Sequence, residues 1–168
     1  MIHVCALADL GGVALALGNY RLMSLMSPSH PDDSWTRHAR SAHLNLAFND
    51  IAEPRDGLIA PDSAMVSSIL AFGRTNLDNL PLLIHCWAGI SRSSAAAYII
   101  ACDANPGHED AIADELRNRA PFATPNALMV SIADDLLNRD GRMIAAIARI
   151  GRGAEAFAGT PYVIEITR

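Results

Sequence analysis

The chain begins with an apolar run, IHVCAL at residues 2–7, long enough for one short buried strand. Small and apolar residues at 9–17 predict a helix, with Asp9 as its cap and Gly18-Asn19 as its stop. YRLMSLM at 20–26 returns to strand character, and SPSHPDD at 27–33 is a polar, proline-punctuated loop. HLNLAF at 43–48 alternates with the two-residue period of a third strand, and NDIAEPRDGLIAP at 49–61 is an exposed loop. Pro61 and Asp62 open a helix that carries Met65, Val66, Ile69 and Leu70 on one face. PLLIHC at 81–86 is apolar without interruption, as expected of a central parallel strand covered on both faces. A helix over 91–102 follows, its alanines implying close packing on the sheet, until Asn105-Pro106-Gly107 breaks it. Residues 109–119 and 126–138 have amphipathic helical spacing, and 142–150 predict another helix. The final PYVIEITR is either an edge strand or a packed tail.

Strands alternate with helices through the first two-thirds. The fold class is therefore α/β: one domain with a central, mostly parallel four- to five-stranded sheet flanked by helices. The core is expected over 2–137, with a terminal helix and tail over 138–168. A length of 168 residues suits one such domain. Composition changes the picture mainly by exclusion. Acidic residues outnumber basic ones 18 to 13, and there is no lysine, so no basic stripe awaits nucleic acid or an anionic membrane. Cys5, Cys86 and Cys102 make neither a CxxC pair nor an even framework, which argues against disulfides and structural zinc. His38 and His43 lack a third ligand, so no metal site is expected there. The first segment has no positive leader and no run is long enough for a membrane span, so a cytoplasmic protein is expected.

The chemistry concentrates in IHCWAGISRSS, residues 84–94. Cys86 is expected at the C-terminal end of a central strand, the edge at which open α/β sheets bind ligands. The turn leads directly into a helix near Arg92, so several backbone N–H groups and the helix dipole converge on one spot. That is a cradle for a tetrahedral dianion. Gly89 permits a tight backbone, and Arg92 offers a planar fork of donors to two phosphate oxygens. Helix N-termini and neighbouring cations hold thiols in the reactive anionic form, so Cys86 is expected as a thiolate placed to attack phosphorus.

These residues resemble the HCx5R-Ser/Thr signature of the cysteine-dependent protein tyrosine phosphatases, in its compact dual-specificity-like or bacterial atypical branch: His85, Cys86, Gly89, Arg92 and Ser93 all match. The resemblance implies that Cys86 is the nucleophile and Arg92 the phosphate and transition-state clamp. It implies a phosphate-binding loop of Trp87, Ala88, Gly89, Ile90, Ser91 and Arg92. Ser93 would hydrogen-bond the sulfur, and His85 would orient the loop from beneath. A loop carboxylate some thirty residues upstream serves as general acid in the dual-specificity branch, and Asn49-Asp50 occupies that position, with Asp56 and Asp62 as rivals. RAPFATPN, residues 119–126, is similar to the family's Arg-Pro…Pro-Asn segment, which gives Asn126 a supporting role beside its plain reading as a helix cap.

The activity implied is hydrolysis of phosphate monoesters on a protein or peptide, phosphotyrosine first and phosphoserine or phosphothreonine second, without metal or organic cofactor. Phosphoinositide phosphatases of this superfamily place lysines in the loop, which here is uncharged between Cys86 and Arg92. Phosphoinositide or small-metabolite hydrolysis, rhodanese-like sulfur transfer and a non-catalytic phosphopeptide binder stand as alternatives. Trp87 either packs under the loop or lines its rim. Cys5, on another strand, is a candidate for an oxidative disulfide with Cys86, beside plain core packing. Cys102 is expected to face away.

Overall fold

Leu82–Cys86 forms β4, and every one of its five residues is buried. In the computed structural model, which describes residues 1–30, 33–75 and 79–165, this strand lies at the centre of a five-stranded sheet. The neighbours are β1 (Ile2–Ala6), β2 (Arg21–Met26), β3 (Ala42–Ala47) and β5 (Tyr162–Ile164), in the order β3-β2-β4-β1-β5. The first four strands are parallel, and β5 runs antiparallel to β1 at the edge. The tail thus resolves as an edge strand; residues 166–168 of the expected PYVIEITR lie outside the described residues, as do residues 31 and 32 of the 27–33 loop.

Alternation along the strands divides the core in two. Ile2, Val4, Met23, Leu25, Leu82, Ile84 and Cys86 face α2 (Ser63–Arg74), α3 (Arg92–Ala104), α4 (Glu109–Arg119), α5 (Ala127–Leu136) and α6 (Arg142–Ile150). Cys5, Leu22 and Leu83 face the other way, against Leu10 and Ala14 of α1 (Leu10–Leu17) and Trp35. Helix α3 is buried from Arg92 to Cys102, and its run of alanines allows it to contact the sheet and α2, α4 and α5 at once. Wider side chains would hold those neighbours apart.

Two local expectations need correction, and one element was not anticipated. Asp9 does not cap a helix: it ends a 3-10 turn, Leu7–Asp9, and makes no cap hydrogen bond, so α1 starts one residue later. A second 3-10 turn, Ser34–His38, occupies sequence that carries no helical period; it forms because Trp35 buries against the sheet. Helix α3 begins at Arg92 rather than Ser91, which keeps Ser91 in the loop. Asp62, by contrast, does cap α2, accepting from the Met65 N–H at 2.8 Å.

Candidate active site

Residues 86–92 join the C-terminal end of β4 to the first turn of α3. Three carbonyls of this loop point outward to fixed donors. Trp87 O accepts from Leu7 N at 3.1 Å, Ala88 O from Gly159 N at 2.8 Å, and Ile90 O from Thr124 N at 3.0 Å. In a trans peptide the N–H lies opposite the C=O, so the amides of Ala88, Gly89 and Ser91 turn inward. Gly89 N–H indeed donates to Cys86 Sγ at 3.2 Å. Gly89 has φ +71°, and a Cβ there would sit 2.7 Å from the Ala6 backbone nitrogen. Only glycine lets the loop lie this close to β1.

Cys86 is 2% exposed, and its sulfur is 3.1 Å from the buried Ser93 hydroxyl. Arg92 is 5% exposed. Its Nη1 donates to Phe48 O at 2.8 Å and Ser27 Oγ at 3.1 Å, and its guanidinium carbon lies 5.9 Å from the Phe48 ring centroid. Nε is buried and, among the described residues, has no hydrogen-bond partner. The anchored Nη1 fixes the plane of the guanidinium. An unpaired buried N–H of this kind is costly unless an anion fills it.

Asp50 lies on the loop after β3, 41 residues from Ser91 in sequence, yet its Oδ1 accepts from Ser91 Oγ at 2.7 Å. The same oxygen accepts from Asn126 Nδ2 at 2.8 Å, while Asn126 Oδ1 caps α5 through the Met129 N–H at 3.0 Å. Asn126 also donates to Ile51 O at 3.2 Å, so one side chain caps α5 and ties it to the Asp50 loop. Asp50 is exposed, and among the described residues no hydrogen bond engages its Oδ2. Asp56 is an exposed turn residue, and Asp62 is occupied as a cap. The structure therefore gathers Cys86, Arg92, Ser93, Ser91, Asp50 and Asn126 around the loop, and of the three candidate carboxylates Asp50 is the one hydrogen-bonded to it.

Beneath the loop, His85 is fully buried and its Nε2 meets Ser24 Oγ at 2.7 Å. Ser24 in turn meets His43 Nε2 at 2.9 Å, linking the floor of the site to the partly buried β3. Burial pushes the His85 imidazole down to about 3, with the Cys86 backbone opposing and the charges of His43, His38 and Arg92 adding to the depression. It is neutral at physiological pH. His43 is thus held in a hydrogen-bond chain, and among the described residues no cluster of three or more His, Cys, Asp or Glu is arranged to hold a metal.

Cys5 lies beside the loop, but its side chain is turned away from the site. It pairs in register with His85, one residue short of Cys86, so its sulfur faces the opposite side of the sheet. A disulfide to Cys86 would require rebuilding both strands. Burial raises the Cys5 and Cys102 thiols to about 12 each. Both pack as core residues.

Sequence reasoning missed Ser24, Ser27 and the contribution of residues 151–160. That segment returns over Phe122 to the cysteine loop, donating Ala154 N to Pro121 O at 2.9 Å and Gly153 N to Thr124 Oγ1 at 3.0 Å. A Cβ on Gly159 would lie 2.2 Å from the Phe122 ring, which explains a glycine there. Tyr162 then donates to Ser94 Oγ at 2.8 Å inside α3. The spacing Gly153…Gly159 was the available signal, but nothing in it names the partner.

No family model and no curated protein matches the chain. Solved structures do. The Cydia pomonella PTP-2 phosphatase superposes with a TM-score of 0.63 at 16% identity, covering 80% of this chain and 84% of its own. DUSP15 gives 0.60 at 14% identity, over 92% and 94%. PTPMT1, in a complex with PI(5)P, gives 0.61 at 12% identity, over 83% and 91%. These neighbours are cysteine-based tyrosine and dual-specificity phosphatases, and the chain has their fold.

Proposed function

We propose that the protein is a cysteine-dependent phosphatase that hydrolyses phosphate monoesters through a phosphocysteine intermediate, with protein phosphotyrosine as its main substrate and phosphoserine and phosphothreonine as lesser ones. The observation that carries this reading is the buried, unpartnered Nε of Arg92, held by an anchored Nη1 in the same loop that turns its amides inward. An oxyanion on the inward amides would give that N–H the partner it lacks.

The chemistry follows from the placement of the groups. The Cys86 thiolate attacks phosphorus, forming the S–P bond as the P–O bond to the leaving group breaks. Asp50 passes a proton from Oδ2 to the departing oxygen, its Oδ1 being held by Ser91 and Asn126. The loop amides and Arg92 stabilise charge on the equatorial oxygens. Water then attacks phosphorus and gives its proton to the Asp50 carboxylate. Sulfur leaves as thiolate, stabilised by the Ser93 hydroxyl and the Gly89 N–H. His85, buried and neutral, fixes the floor and takes no proton. The absence of a cation at Trp87, Ala88, Ile90 and Ser91 favours a substrate with one phosphate over an inositol carrying several.

The test is a panel of phosphotyrosine and phosphothreonine peptides, a nucleotide and an inositol phosphate, run with wild type and Cys86→Ser in parallel. The reading expects phosphate release in the order given, abolished by the substitution. Release that survives in Cys86→Ser would overturn it, and a clear preference for the inositol phosphate would replace the substrate class.

A further inference from the structure

Three consecutive residues leave β3, and each takes a different partner. Phe48 extends the sheet by one step, its N–H donating to Met26 O at 2.9 Å, and its carbonyl anchors Arg92 Nη1 at 2.8 Å. Asp50 reaches Ser91 and Asn126. Between them, Asn49 turns to Ile59, 10 positions on in sequence. Its backbone N–H donates to Ile59 O at 2.7 Å, and its side-chain Oδ1 accepts from Ile59 N at 2.8 Å. One residue thus satisfies both backbone groups of Ile59, as a strand partner would.

That clasp closes the base of the loop that carries Asp50. Residues 52–59 are exposed, so burial does little to fix them. Ile51 N donates back to Asn49 O at 3.0 Å, a tight turn with Asp50 at its centre. Among the described residues, the hydrogen bonds tying 50–59 to the rest of the chain come from Asn49, Ser91 and Asn126. Ser91 and Asn126 grip Asp50 and Ile51 directly, whereas Asn49 sets the path by which the chain enters the turn. Phe48, by contrast, is buried and tied to β2, so the Arg92 anchor does not depend on the clasp.

We propose that Asn49 is a positioning residue for the general acid: by clasping Ile59 it aims Asp50 Oδ2 at the leaving-group oxygen of a phosphate ester. The inference rests on the phosphatase reading, with Asp50 as the proton donor. Asn49 reaches Ile59 and not the cradle, so it acts through Asp50. Its effect therefore grows with the leaving group's need of a proton. A phenoxide stabilised by a nitro group departs with little help, whereas plain phenoxide must be protonated as the P–O bond breaks. The proton moves only over hydrogen-bond distance, so a small displacement of the loop slows the transfer.

The experiment compares kcat/KM, which reports transfer of phosphorus to Cys86, for phenyl phosphate and p-nitrophenyl phosphate. Asn49→Ala should lower the phenyl phosphate value about 10-fold more than the p-nitrophenyl phosphate value. Asn49→Asp keeps an oxygen for the Ile59 N–H and should hold the ratio of the two substrates within about 3-fold of wild type. In an Asp50→Ala background, Asn49→Ala should change neither value by more than about 2-fold, because the group it positions is gone. Equal losses on the two substrates, complete inactivity included, would mean that Asn49 serves the fold alone and would overturn the proposal. No loss, the same ratio in Asn49→Asp as in Asn49→Ala, or a full further loss on the Asp50→Ala background would overturn it too. In each of these cases, wild-type turnover of p-nitrophenyl phosphate that vanishes in Cys86→Ser leaves the phosphatase reading standing. Wild type inactive on both esters would sink that reading and this inference together.

Discussion

Lowering the pH should weaken this fold through His85 in particular. The imidazole is 0% exposed and held neutral, with burial pushing it down to about 3 from 6.5. The unfolded chain takes up a proton near pH 6.5 and the folded one does not until about pH 3, so stability falls as pH drops through that window. At about 1.4 kcal/mol per unit of pH inside the window, the loss between pH 7 and pH 5 is ~2 kcal/mol. Urea unfolding of wild type and His85→Asn at the two pH values measures it. Other groups, including His3, His38 and His43, whose imidazoles are also lowered by burial, titrate in both proteins and largely cancel in the difference. The wild type should lose ~2 kcal/mol more than the variant, a relative midpoint shift of about 1 M at ordinary urea sensitivity. Parallel pH dependence in the two proteins would show that His85 is charged or solvated in the fold, and the account of the loop's floor would fail.

Substitutions at Gly89, Asp50 and Asn126 test the mouth of the site, with Asp56 as a control. Gly89→Ala puts a methyl 2.7 Å from Ala6 N at φ +71° and should cut kcat/KM about 100-fold by displacing the loop amides; wild-type turnover would refute the packing argument. Asp50→Ala should lower kcat on a poor-leaving-group phosphate by roughly 100-fold or more with little change in KM, whereas Asp56→Ala stays near wild type; an equal loss at Asp56 would reassign the acid. Asn126→Ala should cost about 1 kcal/mol in thermal or urea unfolding through the lost cap of α5, while Asn126→Asp keeps that cap and loses turnover by setting a second carboxylate against Asp50. Equal turnover in Asn126→Asp and wild type would show that the Asn126–Asp50 bond does not matter.

What the sequence revealed and what it hid follow from how local each interaction is. Strand β4 announces itself because both its faces are covered, leaving five apolar-compatible positions in a row. The cysteine loop is legible because its geometry is made by neighbours in sequence: strand end, glycine and helix start. Asp50 was findable only by its position after a strand, since its partners, Ser91 and Asn126, lie 41 and 76 residues away. Ser24 and Ser27 carry no signal, because a serine on or after a buried strand has many uses and only the fold brings His85 and Arg92 to them. The return of residues 151–160 to the loop was invisible for the same reason. The bonds of Gly159 and Ala154 run through their backbone N–H groups, which any residue but proline could supply. Of the two readings of Cys5, core packing and a pair with Cys86, the two-residue alternation of side chains along adjacent strands favours the first.

The central claim is that sulfur of Cys86 carries the phosphoryl group. Ser93→Ala should slow hydrolysis of the intermediate by removing the hydroxyl 3.1 Å from that sulfur. Acid-quenching this variant during turnover of a phosphotyrosine peptide, then digesting it for mass spectrometry, locates the phosphate. The account predicts a phosphorylated peptide containing Cys86 that is absent from Cys86→Ser. Phosphate found on another residue, or continued turnover with Cys86 never modified, would contradict it.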